Sequence, residues 1–321
     1  MTEEILPSIY RIEIPLPKNP LKALNSYVIK DNDRNLIIDT GMNREECMRV
    51  MESSLREIGV DLKDTDFFIT HLHADHLGLV SSLVTNTSKI YFNQKDIDSI
   101  HQGFSWESML NFANRYGFPK DMLQDALFKH PGFKYGAKGQ LNFTILKEGD
   151  KIEIGDYQFE CLETPGHTNG HLCLYEPNKK ILVSGDHILG DITPNISLWT
   201  EDENPLDEYM TSLDKVYKLD IDITLPGHRS IIRDCKKRIQ ELKRHHQKRV
   251  DEVLSIIKSG NKDAFQVASN MSWDLTYDSW DQFPTMQKWF ATGEAIAHLK
   301  FLEERGSIQK EIQQQRIVYS L

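Results

Sequence analysis

The sequence predicts an α/β fold followed by a smaller helical unit. From Ile9 to Leu225, segments with apolar residues two apart alternate with segments of helical spacing. At Ile232 the composition shifts, and the helical pattern continues almost to the end of the chain. The 321 residues, 39% of them hydrophobic, are enough for one large and one small domain. We therefore expect domains at residues 1–231 and 232–321.

Short strands and one helix are expected before the first histidine-rich motif. Asn43 is the expected N-cap of this helix and Gly59 its stop. The early elements are expected at Ile9–Ile14, Ser26–Ile29, Asn35–Asp39, Arg44–Ile58 and Asp66–Thr70. Later strands are expected at Lys89–Asn93, Phe143–Leu146, Lys151–Ile154, Tyr157–Glu163, His171–Tyr175, Ile181–Ser184 and Asp222–Leu225, with a helix at Pro205–Leu219.

Three helices and a terminal hairpin are expected after Ile232, an arrangement that suggests a winged-helix-like unit. Their expected bounds are Arg233–Ser259, Ala264–Met271, Pro284–Arg305 and Ile308–Tyr319. This region carries 15 Lys and Arg against 12 Asp and Glu, whereas the remainder carries 23 against 36. The first domain would therefore repel a polyanion, and the second would tolerate one.

Composition also bears on location. No run of 18 apolar residues is present, so no membrane span is predicted. The first twenty residues lack the basic start and apolar stretch of a signal peptide. The four cysteines form no Cys-x-x-Cys pair and are expected to be reduced, mostly buried thiols. These observations predict a cytoplasmic protein.

The segment from His71 to His76 carries three imidazoles and one carboxylate at the end of a predicted strand. At a spacing of two, His71 and His73 point the same way from extended backbone. Asp75 and His76 then turn into a helix and reach a second point nearby. One segment can therefore supply two adjacent metals, for which Zn²⁺ is the best match and iron and manganese are alternatives.

Three further strand ends each place a metal-competent residue beside a glycine. His167 follows Gly166, Asp186 follows Gly185, and His228 follows Gly227. A glycine at such a place allows close approach of the backbone. Each signal is weak alone, but together with the first motif they predict one binuclear site.

These residues resemble the metallo-β-lactamase superfamily over about residues 8–231, with further matches at Asp39-Thr40-Gly41 and Thr164–Thr168. The ligand pattern resembles the glyoxalase II-like hydrolases more than true β-lactamases, and the tail resembles the winged-helix-like C-terminal segment of some lactamase-β-like hydrolases. The resemblance implies a four-layer αββα sandwich. It also implies that His71, His73 and His167 hold a first metal, that Asp75, His76 and His228 hold a second, and that Asp186 bridges both.

The resemblance implies a zinc-dependent hydrolase that uses a hydroxide held between two metals, with Asp75 as the catalytic residue that orients it or passes a proton. The leading hypothesis is hydrolysis of a small ester-like substrate, a thioester or a lactone. A single-strand endoribonuclease is the second hypothesis, motivated by the basic helix that contains Lys243, Arg244 and Lys248. A non-catalytic metal-binding effector is the third, and a homodimer is left open.

Several residues near the motifs are open to two interpretations. Asp39 either orients a ligand histidine or only forms a turn. His171 is expected to be a packed core histidine, and His187 either packs or lines the pocket. Residues 94–133 are expected to form a helical lid over the metals. The candidate wall residues are Phe104, Trp106, Tyr116 and Trp199.

Overall fold

The computed structural model describes residues 2–101, 106–198, 200–274 and 277–321, with the side chains of residues 101 and 106 excluded. The strands are β1 Thr2–Leu6, β2 Ile9–Pro15, β3 Ala23–Ile29, β4 Asn35–Ile38, β5 Thr65–Phe68, β6 Ile90–Asn93, β7 Thr144–Leu146, β8 Lys151–Ile154, β9 Tyr157–Glu163, β10 Leu172–Glu176, β11 Ile181–Gly185, β12 Ile223–Pro226, β13 Gln309–Gln313 and β14 Arg316–Ser320. The helices are α1 Glu45–Ile58, α2 Ala74–Leu77, α3 Val80–Leu83, α4 Gln94–His101, α5 Trp106–Arg115, α6 Lys120–Lys129, α7 Pro131–Tyr135, α8 Pro205–Tyr217, α9 Cys235–Lys258, α10 Ala264–Asn270 and α11 Thr285–Glu304.

The strands and helices expected from the sequence are present, with ends shifted by a few residues. Strand β1 was not expected, because its residues Thr2–Leu6 include two exposed glutamates and show little alternation. The N-cap prediction for α1 was wrong. Arg44 occupies that position, and its side chain makes no capping hydrogen bond to the described helix, while the Asn43 backbone N–H donates to the carbonyl of Tyr135. Gly59 ends α1 in the left-handed conformation, as expected.

Two mixed sheets form the centre of the described chain. One has the strand order β1-β2-β3-β4-β5-β6-β7, antiparallel up to β4 and parallel from β4 to β7. The other has the order β12-β11-β10-β9-β8, in which only β11 and β12 pair in parallel. The carboxyl ends of β5, β9, β11 and β12 lead directly into the four predicted motifs.

The two sheets pack against each other and are covered by helices on their outer faces. Neighbouring strand residues point to opposite faces, so Phe68 packs between the sheets while Phe67 packs under α1 and α3. In the second sheet Leu174 faces the first sheet, and Cys173 faces α8 and α9. Each sheet is thus buried on both faces, which explains the near-continuous apolar runs of its central strands. Two sheets packed face to face with helices outside each of them confirm the predicted four-layer αββα architecture.

The C-terminal helices continue the core of the second sheet. The apolar face of α9 includes Ile239 and Leu242, which share one cluster with Leu182 of β11 and with Leu299 of α11. The described part of residues 94–133, the predicted lid, packs against α11 in a separate cluster, where Phe118 contacts Trp289 with ring centroids 5.3 Å apart. The division after residue 231 stays a prediction, since the described residues show a core that crosses it.

Four buried cysteines with free thiols match the expectation of reduced, packed side chains. Among the described residues no helix is long and apolar enough to cross a membrane.

A buried histidine pair joins α9 to α11. Nδ1 of His298 donates to the carbonyl of Glu294 at 2.8 Å, which leaves its Nε2 to accept from Nδ1 of His246 at 3.3 Å. Burial lowers the pKa of His298 to about 4. An unfolded chain would titrate this group near 6.5. Between these values the unfolded state binds the extra proton.

Acid is therefore expected to destabilise the fold through His298. Stability from this group is complete above pH 6.5 and is lost as pH falls towards 4, by about 3 kcal/mol. Asparagine at position 298 can still donate to the carbonyl of Glu294 but does not titrate. Between pH 6.5 and 4 we therefore expect His298→Asn to lose about 3 kcal/mol less unfolding free energy than the unmodified protein. Urea unfolding of both proteins across this range measures the difference. Parallel pH profiles would contradict the assignment.

Candidate metal centre

The histidine-rich segment leaves β5 and enters α2 within six residues. His73 is the N-cap of α2, with extended backbone at φ −63° and ψ 147°. Nε2 of His71 lies 3.0 Å from Nδ1 of His73, so these two rings face one point. Asp75 and His76 lie in the helical turn and converge with His228 instead. The segment therefore reaches two neighbouring points, as its spacing predicted.

The three later strand ends bring their residues to the same place. Nε2 of His167 lies 3.0 Å from Nδ1 of His73. Nε2 of His228 lies 3.5 Å from Oδ2 of Asp75. Among the described residues three overlapping groups result, within each of which the candidate ligand atoms lie within 4.8 Å of one another, and one of them, His71, His76 and Asp186, joins the other two. The first group is His71, His73 and His167, and the second group is Asp75, His76 and His228.

Asp186 lies between the two groups. Its Oδ2 is 3.6 Å from Nε2 of His167 and 3.4 Å from Nε2 of His228. Its Oδ1 is 3.5 Å from Nε2 of His76. One carboxylate therefore faces both groups, in the position expected of a bridging ligand.

Close approach at this site requires glycine. A Cβ atom on Gly227 would lie 2.5 Å from Oδ1 of Asp186 and 2.9 Å from Cε1 of His76. Gly166 has φ +133°, and a Cβ there would lie 2.4 Å from Cβ of Tyr209. The role that the sequence suggested for these glycines is confirmed.

Hydrogen bonds fix the tautomer of four of the five histidines in the two groups. In each, Nδ1 has a bond to the surrounding protein, so that the lone pair of the neutral ring is on the inward Nε2. The partners are Thr70 Oγ1 for His71 at 2.9 Å, Asp39 Oδ2 for His76 at 2.7 Å, the Asn195 carbonyl for His167 at 2.8 Å and the Ala23 carbonyl for His228 at 2.7 Å.

Three atoms of the site have no hydrogen-bond partner among the described residues, although all are buried. They are Nε2 of His76, Nε2 of His228 and Oδ1 of Asp186. Buried polar atoms without partners are costly, and they need an explanation. A divalent cation at this point would pair all three. The donor set and its orientation therefore fit a metal site.

Electrostatics distinguish the two groups. Burial lowers the pKa of His71 and His167, and burial together with the nearby His167 lowers that of His73 to about 3. These three rings are neutral at pH 7 and can act as ligands directly. Burial also opposes protonation of His228, but Asp186 and Asp75 outweigh it and raise its pKa to about 10. The second group must therefore release protons when it takes up a cation.

Asp39 contacts a candidate ligand, which settles one of the open interpretations. It holds a left-handed backbone conformation with φ 58°, unusual for a residue with a side chain. Its Oδ1 accepts from the Thr70 N–H at 2.8 Å, and its Oδ2 accepts from Nδ1 of His76 at 2.7 Å. Asp39 therefore orients the His76 ring as well as forming the turn.

Replacing Asp39 with asparagine is expected to weaken the second group more than the first, because Asp39 contacts His76 directly but reaches His71 only through the Thr70 hydroxyl. If the asparagine oxygen keeps the bond from the Thr70 N–H, its NH₂ group faces the Nδ1–H of His76. Two donors then face each other, and the bond that orients the His76 ring is lost. We expect a roughly 10- to 100-fold lower affinity for one of two metals. Competition with a chelating dye measures both constants. Unchanged affinity for both metals would argue that Asp39 is only a turn residue.

His171 and His187 occupy different surroundings. His171 is fully buried, as expected, but its Nε2 also accepts from the Asp186 backbone N–H at 3.2 Å. It therefore helps to position Asp186. The ring of His187 packs against Tyr209, with centroids 5.3 Å apart, and lies in neither group. Of its two interpretations, packing is the one observed.

The expected wall residues are only partly described. Phe104 and Trp199 lie outside the described residues, as does the side chain of Trp106. Tyr116 is buried in the cluster shared with the C-terminal helices, and its hydroxyl donates to Glu201 at 3.3 Å. Tyr116, which directly follows α5, therefore packs towards the C-terminal region, and its place in the wall of the metal site stays a prediction.

Asn195 contacts the first group but was not predicted. Its carbonyl accepts from His167, and its Nδ2 donates to Oε2 of Glu294 on α11 at 3.2 Å. The neighbouring Leu198 N–H donates to the carbonyl of Gly293 at 3.1 Å. No sequence signal marked Asn195, because every residue type has a carbonyl. The C-terminal region thus helps to fix the loop that holds His167.

Family models match both parts of the chain. The model described as the metallo-beta-lactamase superfamily matches residues 21–228, which include all seven candidate ligands. A model described as the metallo-beta-lactamase-like C-terminal domain matches residues 280–319, which include α11 and the hairpin except for its last residue, Ser320.

Curated relatives agree with these matches. The chain is 26% identical over 292 residues to the "Probable metallo-hydrolase YqjP" of Bacillus subtilis, covering 88% of each protein. It is 23% identical over 243 residues to an "Atrochrysone carboxyl ACP thioesterase" of Aspergillus fumigatus, covering 75% of this chain and 46% of that protein.

Solved structures share the fold over the whole chain. A metallo-beta-lactamase family protein from Thermus thermophilus superposes with a TM-score of 0.84 at 25% identity, covering 99% of both chains. A beta-lactamase domain protein from Burkholderia ambifaria superposes with a TM-score of 0.82 at 23% identity, covering 100% of this chain and 94% of that one. The chain belongs to the metallo-beta-lactamase superfamily, and it is a hydrolase of the kind that binds divalent metal through histidine and aspartate.

Proposed function

We propose that this chain holds two Zn²⁺ ions and hydrolyses a small acyl thioester, with lactones as the neighbouring substrate class. The observation that carries the proposal is the convergence of seven side chains as two groups around Asp186. Histidine and carboxylate ligands suit Zn²⁺ better than Mg²⁺ or Ca²⁺, which prefer all-oxygen sites. Iron and manganese are the alternatives that metal analysis would reveal.

Two bound cations would supply a water of lowered pKa and a positive charge for the acyl oxygen. The chain's own part is to hold the five imidazoles in fixed orientations and to supply a proton acceptor. Burial raises the pKa of Asp75, but His228 and His76 lower it below its usual value, so this carboxylate is ionised at pH 7. We propose that Asp75 accepts the proton that the attacking water loses and passes it to the departing sulfur.

Thioester hydrolysis forms one C–O bond from water and breaks the C–S bond, so water is the only co-substrate. The thioesterase named among the relatives supports this substrate class. The acidic remainder of the chain, with 23 basic and 36 acidic residues, favours a small substrate over a polyanion.

RNA cleavage is kept as the second candidate because of the basic helix α9. Part of its charge is neutralised within the protein, since Arg238 pairs with Glu241 at 3.0 Å and the buried Arg249 pairs with Glu252 at 2.9 Å. Arg244 and Lys248 stay exposed and could contact phosphate. This remaining basic surface is smaller than the sequence count suggested.

A cytoplasmic location, a homodimer and the non-catalytic effector role stay proposals or alternatives. Four buried free thiols support a reducing compartment. Turnover that disappears in His71→Ala would exclude the effector role, and sedimentation analysis would give the oligomeric state.

The proposal predicts the outcome of elemental analysis combined with a substrate panel. The panel contains S-lactoylglutathione, an acyl-CoA, a homoserine lactone, a phosphodiester and a short RNA. We expect about two metals per chain and turnover of a thioester or lactone that is lost in His71→Ala. Two metals with RNA cleavage alone would favour the nuclease. A folded protein without metal would overturn the assignment of the site.

A further inference from the structure

The first turn of α4 carries a buried carboxylate that contacts the loops on both sides of the first group. Asp96 is fully buried. Its Oδ2 accepts from the Leu72 N–H at 2.8 Å and from Oγ1 of Thr168 at 3.1 Å. Its Oδ1 accepts from the Gly170 N–H at 2.9 Å.

The three donors belong to the same two chain segments that carry the histidines of the first group. Leu72 lies between His71 and His73, and Thr168 directly follows His167. One carboxylate therefore connects the segments that supply all three members of the first group. The second group shares the His71–His76 segment through Asp75 and His76, and only its His228 comes from another segment. Asp75 and His76 lie in α2, however, where the His76 carbonyl accepts from the N–H and the hydroxyl of Thr40 and the His76 ring contacts the Asp39 carboxylate.

We propose that Asp96 is a positioning residue for the first metal, which it holds in place by fixing the distance between the His71–His73 segment and the His167 segment. This inference rests on the proposed metal-binding function. It assigns to the start of residues 94–133 a role in building the site, whereas the sequence suggested only a lid.

The surroundings of Asp96 show that this arrangement is specific. A Cβ atom on Gly170 would lie 2.6 Å from Oδ1 of Asp96, so glycine is needed for the carboxylate to reach this backbone. All three donors are neutral, and burial without a cationic partner is costly for a carboxylate. Burial raises the pKa of Asp96 to about 7 while the three donors lower it, so the measurements belong at pH 8.5, where the carboxylate is ionised.

Asparagine at position 96 keeps the size of the side chain but can accept through only one atom. Its NH₂ group would face at least one of the two backbone N–H donors. We therefore expect Asp96→Asn to shift the two ligand segments relative to each other. Loss of such an outer contact lowers metal affinity by roughly 10- to 100-fold.

The test isolates each metal in a background that lacks the other. His228→Ala should bind one metal through the first group, and His73→Ala should bind one through the second. Calorimetric titration with Zn²⁺ at pH 8.5 then measures Asp96→Asn in each background. We expect a roughly 10- to 100-fold weaker constant in His228→Ala and no change in His73→Ala.

Two further variants keep the test decisive. Asp98→Asn, on the same helix and bonded only to Gln94 in the described contacts, is the matched control and should change neither constant. Thr168→Val removes one donor at equal size and should weaken the first site by a smaller factor, which Thr168→Ser should restore. It replaces Asp96→Asn if that protein does not fold.

The outcomes separate this inference from the proposed function. If unmodified protein binds fewer than two metals, the proposed function fails. If it binds two, but Asp96→Asn and Thr168→Val weaken both sites equally or neither site, Asp96 is only a structural residue and the inference is overturned.

Discussion

Replacing Asp186 with alanine is expected to reduce kcat/KM by roughly 10³-fold and to lower the metal content below two per chain. Asp186 is the only carboxylate among the seven that faces both groups, with oxygens within 3.6 Å of His167, His228 and His76. Its loss leaves the two groups without the negative charge between them. Both metal sites should weaken together, unlike the unequal effects expected at Asp39.

The control for this experiment is Asp191→Ala. Asp191 lies on the same loop, is exposed, and accepts a hydrogen bond from Ser230 at 2.8 Å. Activity and metal content should stay unchanged in this variant. Loss of activity in Asp186→Ala with two metals still bound would show that Asp186 acts on the substrate and does not bridge the two sites.

The ligand set could be predicted because its members are polar residues at the ends of apolar strands. His167 and His228 each stand beside a glycine after a predicted strand, so their positions followed from strand ends alone. The pairing of β11 with β12 then brings Asp186 and His228 together. The positions of these ligands could therefore be predicted from the local sequence alone.

The residues around the ligands could not be predicted in the same way. Asp96 reads as an ordinary acidic residue in the first turn of a helix, where such residues are favoured by the helix dipole. Only the packing of α4 against two distant loops gives it another role. Asn195 and Glu294 lie 99 positions apart, and their contact depends on where α11 docks.

The C-terminal region shows the same limit. Its helices and hairpin were predicted from periodicity, because α9 has a clear apolar face. The sequence did not show that this face would join the core of the second sheet through Ile239 and Leu242. Periodicity identifies a buried face but does not identify what covers it. The link from Glu294 through Asn195 to His167 follows from that docking.

Removal of the metals is expected to lower the stability of the whole fold. His76, His228 and Asp186 each keep a buried atom that has no hydrogen-bond partner in the described part of the chain, and a cation would pair all three. A ligand that binds only the folded state at 1,000 times its Kd adds about 4 kcal/mol per site. Each kcal/mol shifts Tm by about 2–4 °C in chains of about 150–250 residues, and by somewhat less in a longer chain such as this one.

Thermal unfolding after treatment with a chelator should therefore give a Tm about 10 °C or more below that of the metal-loaded protein. Added Zn²⁺ should restore it, whereas Mg²⁺ should not, because Mg²⁺ prefers all-oxygen ligands. Asp186→Ala should respond far less to either treatment, which separates binding at this site from general effects of the chelator. Equal Tm values with and without metal would mean that the buried atoms are paired in some other way. Restoration by Mg²⁺ alone would contradict a histidine-based site.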